Sequence, residues 1–543
     1  MANLSQIKRE KMISFLETLK EQHSDDESLI AINKIEHELT AKKYGLVWEE
    51  HKEEVDEKLE KYIPVFREVK ERELVLNPNS EQFNFLLEGD NLHSLKLLEK
   101  THKGKIDILY LDPPYNTGNK DFTYNDCQIA YEDSFRHSKW LSFMSERLNI
   151  AKKLLSQQGM IFISIDDNEQ AQLKLLCDSI FGDQNYVTSL IWQKKKGGGN
   201  DSRHVATEHE YVLFYAYNKN ALDNIFIPYG DEYLTRYKEK DEKGRFFWDT
   251  FKRKSGKQYY AITCPDGTVL EKDENGEPIS WLRSEARFLS DLEAGEVRII
   301  KINGKWTVHF KQRQPNGYKP RSLMTEYGTT SDGAAELKNI FGITNVFSNP
   351  KPVNLIKFLC KFAPNKDITV LDFFAGSGTT AQAVLELNQE DGGNRKFILC
   401  TNNENDICEK VTYPRIKTVI TGKRANGSEY STGIPCNLKY YKTDFVEKDS
   451  VGLFDDLLGH IIEMIQLQFA VRIDNDKYVI IMDDEEMDEF EKNFSDFSDL
   501  KAVFINQDVL LSTSQEKLLE KVNTFIVPDC YFDFELREAG ELW

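Results

Sequence analysis

From Phe83 to about Asn218, apolar runs of strand length alternate with stretches whose apolar positions recur every three or four residues. FNFLLEGD (83–90), KIDILYLD (105–112) and GMIFISIDD (159–167) read as strands. NLHSLKLLEK (91–100), SKWLSFMSERLNIAKKLL (138–155) and QAQLKLLCDSIF (170–181) read as the helices between them. YVTSLIWQK and EYVLFYAYN add two more strands. The rhythm resumes after a turn and helix in SNPKPVNLIKFLCKFA (348–363), with ITVLDFFAGSGTTAQAVLELN and KFILCTNNEND. Strands strictly alternating with helices predict an α/β fold, a parallel sheet with helices on both faces.

Other stretches break this rhythm. At the N terminus, Met12, Phe15, Leu16 and Leu19 share a helical face, as do Leu29, Ile32, Ile35 and Leu39, then Val55, Leu59 and Tyr62, with Pro64 as a stop. Residues 220–345 are rich in Gly, aromatic and basic residues with short strand-like pieces, which predicts a separate, less regular domain. The division expected is a helical region at 1–75, a catalytic part at 76–219, an insert at 220–345, a second α/β part at 346–425 and an acidic α/β module at 426–543.

The strand DILYL runs straight into DPPYN. Pro113 ends the ladder because it has no N–H to donate, which leaves Asp112 at the carboxyl end of a buried strand, where open α/β sheets bind ligands. A carboxylate, a proline carbonyl and the Tyr115 ring on a stiff corner suit an exocyclic amine on a flat base. Asp112 and a carbonyl of Pro113–Pro114 would each accept one N–H, and Tyr115 would stack. As plain structure, the same four residues would be a stop and a turn. VLDFFAGSGTT (370–380) reads as strand, glycine turn and helix start, with Gly376 and Gly378 admitting a ligand close to the backbone. GSGTTA also fits the dinucleotide fingerprint, so a nicotinamide-dependent oxidoreductase is a rival reading. That reading wants an acid at the end of the next strand, where Thr401 stands, with Glu404 three residues late.

With 543 residues the chain exceeds one core, and its net charge of −20 argues at first against a polyanionic partner. Residues 441–543, however, carry 25 acidic and 9 basic residues, so the remainder is nearly neutral. Within it, residues 298–321 hold seven Lys/Arg and no acid, and QKKKGGGNDSRH (193–204) is also basic. Such local positive faces bind phosphates whatever the global sum. This makes Lys194, Lys195, Lys196, Arg313 and Arg321 candidate DNA contacts. The eight cysteines form no CxxC pair, so no metal site is expected. The charged start MANLSQIKREKM, and the lack of a long apolar run, predict a cytoplasmic protein without a membrane partner.

Together, DPPY and FAGSG resemble the catalytic motif and cofactor loop of S-adenosylmethionine-dependent adenine-N6 DNA methyltransferases, in the order of the beta class. EGDNLHSL (88–95), HSKWLSFM (137–144), HEYVLFYAYN (209–218) and NPKPVNLIKFL (349–359) resemble its accessory motifs. The stretch from KYGLVWEEHKEEVD (43–56) through DPPYNTGNKDF is similar to Mod subunits of type III restriction-modification systems. The resemblance implies a circularly permuted, Rossmann-like methyltransferase fold with an inserted target-recognition domain. It assigns Asp112, Pro113, Pro114 and Tyr115 to the target adenine, with Tyr211 or Phe214 as a second wall. It assigns Asp90, Asp372, Phe374, Ala375, Gly376, Ser377, Gly378, Thr379, Lys351 and Pro352 to the cofactor, leaving the ribose contact open. Double-stranded DNA, a second copy of the chain as a homodimer, and a helicase-nuclease restriction subunit are the partners it implies. A stand-alone methyltransferase and a catalytically idle DNA-binding specificity subunit are the other readings.

Overall fold

The computed structural model describes residues 4–22, 32, 35, 48–118, 123–124, 127–128, 133–197, 202, 204–473 and 475–541. It divides into two compact units, Met1–Asp223 with Arg321–Trp543, and Asn224–Pro320. Among the described residues no helix is long and apolar enough to cross a membrane. Of the three expected N-terminal helices, the first is present as Leu4–Gln22 and the third as Glu54–Lys61. The second, around Leu29–Leu39, lies outside the described residues apart from 32 and 35.

The larger unit is built on one sheet. In chain order its strands are β1 (Tyr62–Glu68), β2 (Asn84–Glu88), β3 (Ile106–Leu111), β4 (Leu155–Ile165) and β5 (Tyr186–Gln193). They continue with β6 (His209–Ala216), β7 (Leu323–Met324), β8 (Thr369–Asp372), β9 (Lys396–Thr401) and β10 (Asn437–Glu447). Their order across the sheet is β1-β10-β2-β9-β8-β3-β4-β6-β5-β7, and the two-residue strand Leu74–Val75 pairs antiparallel with β10 off this path. The six strands from β10 to β4 are mutually parallel, β1 and β6 run antiparallel to their neighbours, and β5 pairs antiparallel with β6 and parallel with β7. Such inner strands are apolar on both faces, as Ile108, Leu109, Leu111, Val370, Leu371, Leu399 and Cys400 are, all buried.

The helices that follow the strands are α1 (Asn91–His102), α2 (Arg136–Leu154), α3 (Gln170–Phe181), α4 (Thr330–Phe341), α5 (Val353–Cys360), α6 (Thr379–Asp391) and α7 (Tyr413–Thr421). Three features depart from the expected division. Residues 321–345, expected in the insert, belong to the larger unit, where they supply β7 and α4. Residues 62–68 are a strand, not the end of a helix: β1 is the edge of the sheet, where Pro64 is tolerated because one side of its backbone needs no partner. Asn437–Glu447, expected in a separate acidic module, is instead a strand of the main sheet between β1 and β2. The rest of the tail forms a three-stranded parallel sheet of Tyr478–Ile481, Ala502–Asn506 and Thr524–Val527. Its Phe504, Val527, Tyr531 and Phe532 share one core with Leu95 and Leu98 of α1.

The unit Asn224–Pro320 has its own sheet, with Gly244–Thr250 beside Lys305–Arg313 and that strand beside Val297–Ile302, all antiparallel. Phe251, Trp281, Phe288, Val308 and Phe310 form its core. On the opposite face the Arg298 guanidinium lies 4.0 Å from the Trp248 ring, and Lys311 lies 4.7 Å from the Phe246 ring.

Candidate functional site

β3 and β8 are parallel neighbours, with Val370 paired to Ile108 and Leu371 to Leu109. Both therefore end at the same edge of the sheet, where β3 delivers DPPY and β8 delivers the glycine turn. These two loops border one cavity of about 1630 Å³ in the larger unit. Asp112, Pro113, Pro114, Tyr115, Lys194, Glu210 and Lys351 line one part of it. Asp90, Asn91, Phe143, Phe347, Phe374, Gly376, Thr401, Asn402, Glu404 and Asn405 account for much of the rest.

At the DPPY corner four charges and a phenol meet. The Lys351 ammonium donates to both oxygens of Asp112, at 2.8 Å each, and stands 3.5 Å from Glu210 Oε2. The Tyr115 hydroxyl is 2.9 Å from Asp112 Oδ1 and 2.9 Å from Glu210 Oε2, so it can donate to either. Lys194 holds the other oxygen of Glu210 at 3.1 Å. Burial pushes the Asp112 carboxyl above its ordinary range, and the Lys351 ammonium works against that rise. Burial would also raise Glu210, but Lys351 and Lys194 together hold it below its ordinary range. Lys351 itself stays protonated: burial disfavours its charge, and Asp112 and Glu210 outweigh burial. The Trp140 indole N–H donates to the Pro114 carbonyl at 2.7 Å, so the Pro113 carbonyl is the one left to a ligand. Asn116, in the left-handed region at φ 56°, anchors the corner by donating to the buried carboxyl of Glu169 at 2.5 Å. Glu169 is pushed up to about 8 by burial.

Sequence reasoning missed Glu210. Its signal was parity: a single acid within the apolar strand EYVLFYA must either reach an edge or meet a cation. Neither expected aromatic wall lines the cavity. Phe214 shares the face of Glu210 but is buried in the core, 4.6 Å from the Phe162 ring and 5.8 Å from that of Phe362. Tyr211 points to the other face, where its hydroxyl donates to Asp167 at 3.0 Å, and it does not line the cavity.

The expected cofactor residues divide in two. Asp90, Phe374, Gly376 and Lys351 line the cavity, although Lys351 spends its ammonium on Asp112. Asp90 also caps α1, accepting from the Leu92 N–H at 2.7 Å. The side chains of the others serve the turn itself. Asp372, buried and pushed up to about 7 by desolvation, accepts from the Phe374 N–H and the Thr380 hydroxyl, at 3.0 and 2.6 Å. The Ala375 N–H donates to Cys400 on β9, at 3.1 Å. The Ser377 and Thr379 hydroxyls meet the buried guanidinium of Arg415, at 3.0 and 2.8 Å. Gly378 has φ 78°, and Pro352 stands just before α5.

Of the candidate DNA contacts, Lys194 and Lys195 line the cavity, and Lys196 and Arg321 are exposed. Arg313, in the smaller unit, is gripped by Asp241 at 2.8 and 2.9 Å and by Glu296 at 2.7 Å. That double ion pair makes Arg313 an internal strut, not a free phosphate ligand.

A family model described as DNA methylase matches residues 106–412. The chain is 37% identical over 438 residues to the Mod subunit of the type III restriction-modification enzyme StyLTI of Salmonella typhimurium, covering 71% of this chain and 65% of that one. To the EcoPI Mod subunit of Escherichia phage P1 it is 35% identical, over 60% of this chain and 58% of that one. To the type II methyltransferase M.KpnI of Klebsiella pneumoniae it is 33% identical, over 60% of this chain and 82% of that one. The chain thus spans less than two thirds of the length of these Mod subunits.

Proposed function

Because this chain belongs to the DNA methylase family, we propose that it methylates N6 of adenine at a specific site in double-stranded DNA, as the modification and recognition subunit of a type III restriction-modification system. The observation that carries this reading is the opening of the DPPY corner and the glycine turn, from adjacent parallel strands, onto one shared cavity. An oxidoreductase would leave the Asp112–Lys351–Glu210–Tyr115 cluster without a task. The order of the two motifs along the chain, catalytic corner before glycine turn, is the basis for reading the sheet as circularly permuted. The compact unit Asn224–Pro320, with its cation-bearing aromatic face, suits target recognition, and a restriction subunit and a second copy of the chain are its proposed partners.

S-adenosylmethionine, when bound, supplies an electrophilic methyl group on a sulfonium. The cavity suits it. Phe143, Phe347 and Phe374 offer flat apolar surface to an adenine ring. Gly376 leaves the turn bare where a Cβ would stand 3.1 Å from the Phe347 ring. Asp90 and Glu404 are among the carboxylates that line it, and Glu404 is the proposed ribose contact in place of the acid that Thr401 is not.

At the other end the target adenine, everted from the duplex, would lay its ring on Tyr115. Its amine would donate one hydrogen to Asp112 and the other to the Pro113 carbonyl, since the Pro114 carbonyl already serves Trp140. With both hydrogens held, the nitrogen lone pair is directed outward, and Asp112 stabilises the positive charge that grows on nitrogen. Lys351 works against the burial that raises the Asp112 carboxyl and so favours its anionic form. Glu210 gives that ammonium a second acceptor when the amine takes its place on Asp112.

The test is to incubate the protein with labelled S-adenosylmethionine and genomic DNA, and to map modified bases by single-molecule sequencing. N6-methyladenine at one recurrent sequence is expected. In Asp112→Ala, methylation should fall at least about a thousandfold while cofactor and DNA binding stay near wild type. Labelling of another base, or robust methylation by the variant, defeats the reading.

A further inference from the structure

Arg415, on α7, is fully buried, yet no carboxylate grips it. Glu336 of α4 is the nearest acid, at 3.7 Å, and Nη2 has no hydrogen-bond partner among the described residues. Burial depresses its affinity for its proton, to a pKa of about 10. A buried cation so poorly paired does not stabilise the fold, and an apolar side chain of similar size would do as well or better there. Its N–H groups go elsewhere. Nη1 donates to the Thr379 hydroxyl at 2.8 Å, the Ser377 hydroxyl at 3.0 Å and the Ser377 carbonyl at 3.4 Å, and Nε donates to Gln382 at 2.9 Å. Three of these four contacts fall on the glycine turn, from the side away from the cavity.

The chain of contacts does not stop at the turn. The Thr379 hydroxyl, accepting from Arg415, donates to the Lys351 carbonyl at 3.3 Å. Lys351 in turn grips Asp112 with its ammonium. Glu336, beside Arg415, accepts the Val353 N–H at 3.1 Å and so fixes the start of α5, two residues beyond Lys351. One guanidinium therefore braces the turn at one end of the cavity and, through a single hydroxyl, the backbone of the lysine at the other.

We propose that Arg415 is a positioning residue for methyl transfer, setting the glycine turn and, through Thr379, the Lys351–Asp112 pair in mutual register. The inference rests on the methyltransferase reading. Displacement of reacting groups by about an ångström is enough to slow a positioned reaction a hundredfold, so a brace shared by both ends has a kinetic role beyond stability.

The experiment compares Arg415→Met, Arg415→Lys and Thr379→Val in the full chain. It measures affinity for S-adenosylhomocysteine by calorimetry, and kcat and KM for methylation separately. In Arg415→Met the dissociation constant should rise about tenfold or more, as loss of charge-assisted hydrogen bonds to the turn implies, and kcat should fall as well. Arg415→Lys, which keeps a donor, should recover part of both. Thr379→Val, which keeps the shape and removes the bridge, should lower kcat about fivefold or more while the dissociation constant changes less than about twofold. A purely structural role predicts fewer binding-competent molecules with unchanged dissociation constant, KM and kcat per competent molecule, and that result overturns the proposal. Should Arg415→Met fail to fold, an unchanged kcat in Thr379→Val overturns it alone. Wild-type protein that neither binds S-adenosylhomocysteine nor methylates DNA counts against the methyltransferase reading instead.

Discussion

Two lysines and two carboxylates surround the Tyr115 hydroxyl, and their balance decides whether Asp112 is an anion. Methyl transfer needs it charged, so the rate should be lost as pH falls through the Asp112 pKa. Removing the cation and removing the second anion then have opposite signs. In Lys351→Met, burial acts on Asp112 with only the Tyr115 hydrogen bond to oppose it, and the acid limb of the kcat profile should move to higher pH. In Glu210→Gln, Asp112 loses a repelling neighbour and keeps Lys351 to itself. Its acid limb should move to lower pH, with kcat down about tenfold or more because the amine must compete with an ammonium that has nowhere else to go. Profiles that shift in the same direction would sink this account. Asp112 and Tyr115 were legible in the sequence because prolines after an apolar strand make a conspicuous corner. Glu210 carried only the weaker signal of a single acid in an apolar strand, and Arg415 carried none, since each acts across many residues of chain and neither sits in a turn.

Strand ends made the site legible at the scale of elements. A parallel sheet sends all its strands' carboxyl ends to one edge, so two loops found in sequence after two such strands face the same side before any coordinates exist. Their adjacency depends on strand order, which the pattern of residues does not contain, and it comes from the pairing of β3 with β8. Parity within β6 sends Tyr211 to the face away from Glu210. Phe214 shares the face of Glu210 and is buried there by Phe162 and Phe362, packing that the sequence pattern does not contain. The edge strand β1 was hidden by Pro64, a residue that signals a stop in a helix and is harmless at a sheet edge. The glycine turn carries its own test. Gly378 sits at φ 78° with Thr412 Cγ2 3.2 Å from where a Cβ would be. Gly378→Ala should cost roughly 1–2 kcal/mol of stability, read by denaturant unfolding, and weaken S-adenosylhomocysteine binding. Unchanged stability and binding would mean that the turn yields at no cost.

For the whole molecule, buried acids outweigh their number in the response to pH. Glu169 is pushed up to about 8, and Asp372 and Glu336 to about 7, all mainly by burial. Unfolded, these carboxyls ionise near their ordinary values, so between about pH 6.5 and 8.5 the folded chain holds more protons than the unfolded one. Stability then falls as pH rises through that window. The melting temperature should be roughly 2–4 °C lower at pH 8.5 than at pH 6.5, measured by calorimetry at fixed ionic strength. A melting temperature that climbs across the same interval contradicts the buried protonation of these groups. The acidic tail was legible as composition but not as architecture. Its first strand, β10, completes the main sheet, and charge along a sequence does not tell which strand pairs with which.

The smaller unit, Asn224–Pro320, carries a core of its own and shares no strand ladder with the main sheet among the described residues. A gene conversion confined to its codons would, on the proposed function, hand unchanged chemistry a new genomic address. Descendants so altered would stop marking their parents' sites, and a lineage could part from its siblings in one recombination event with its catalytic apparatus untouched.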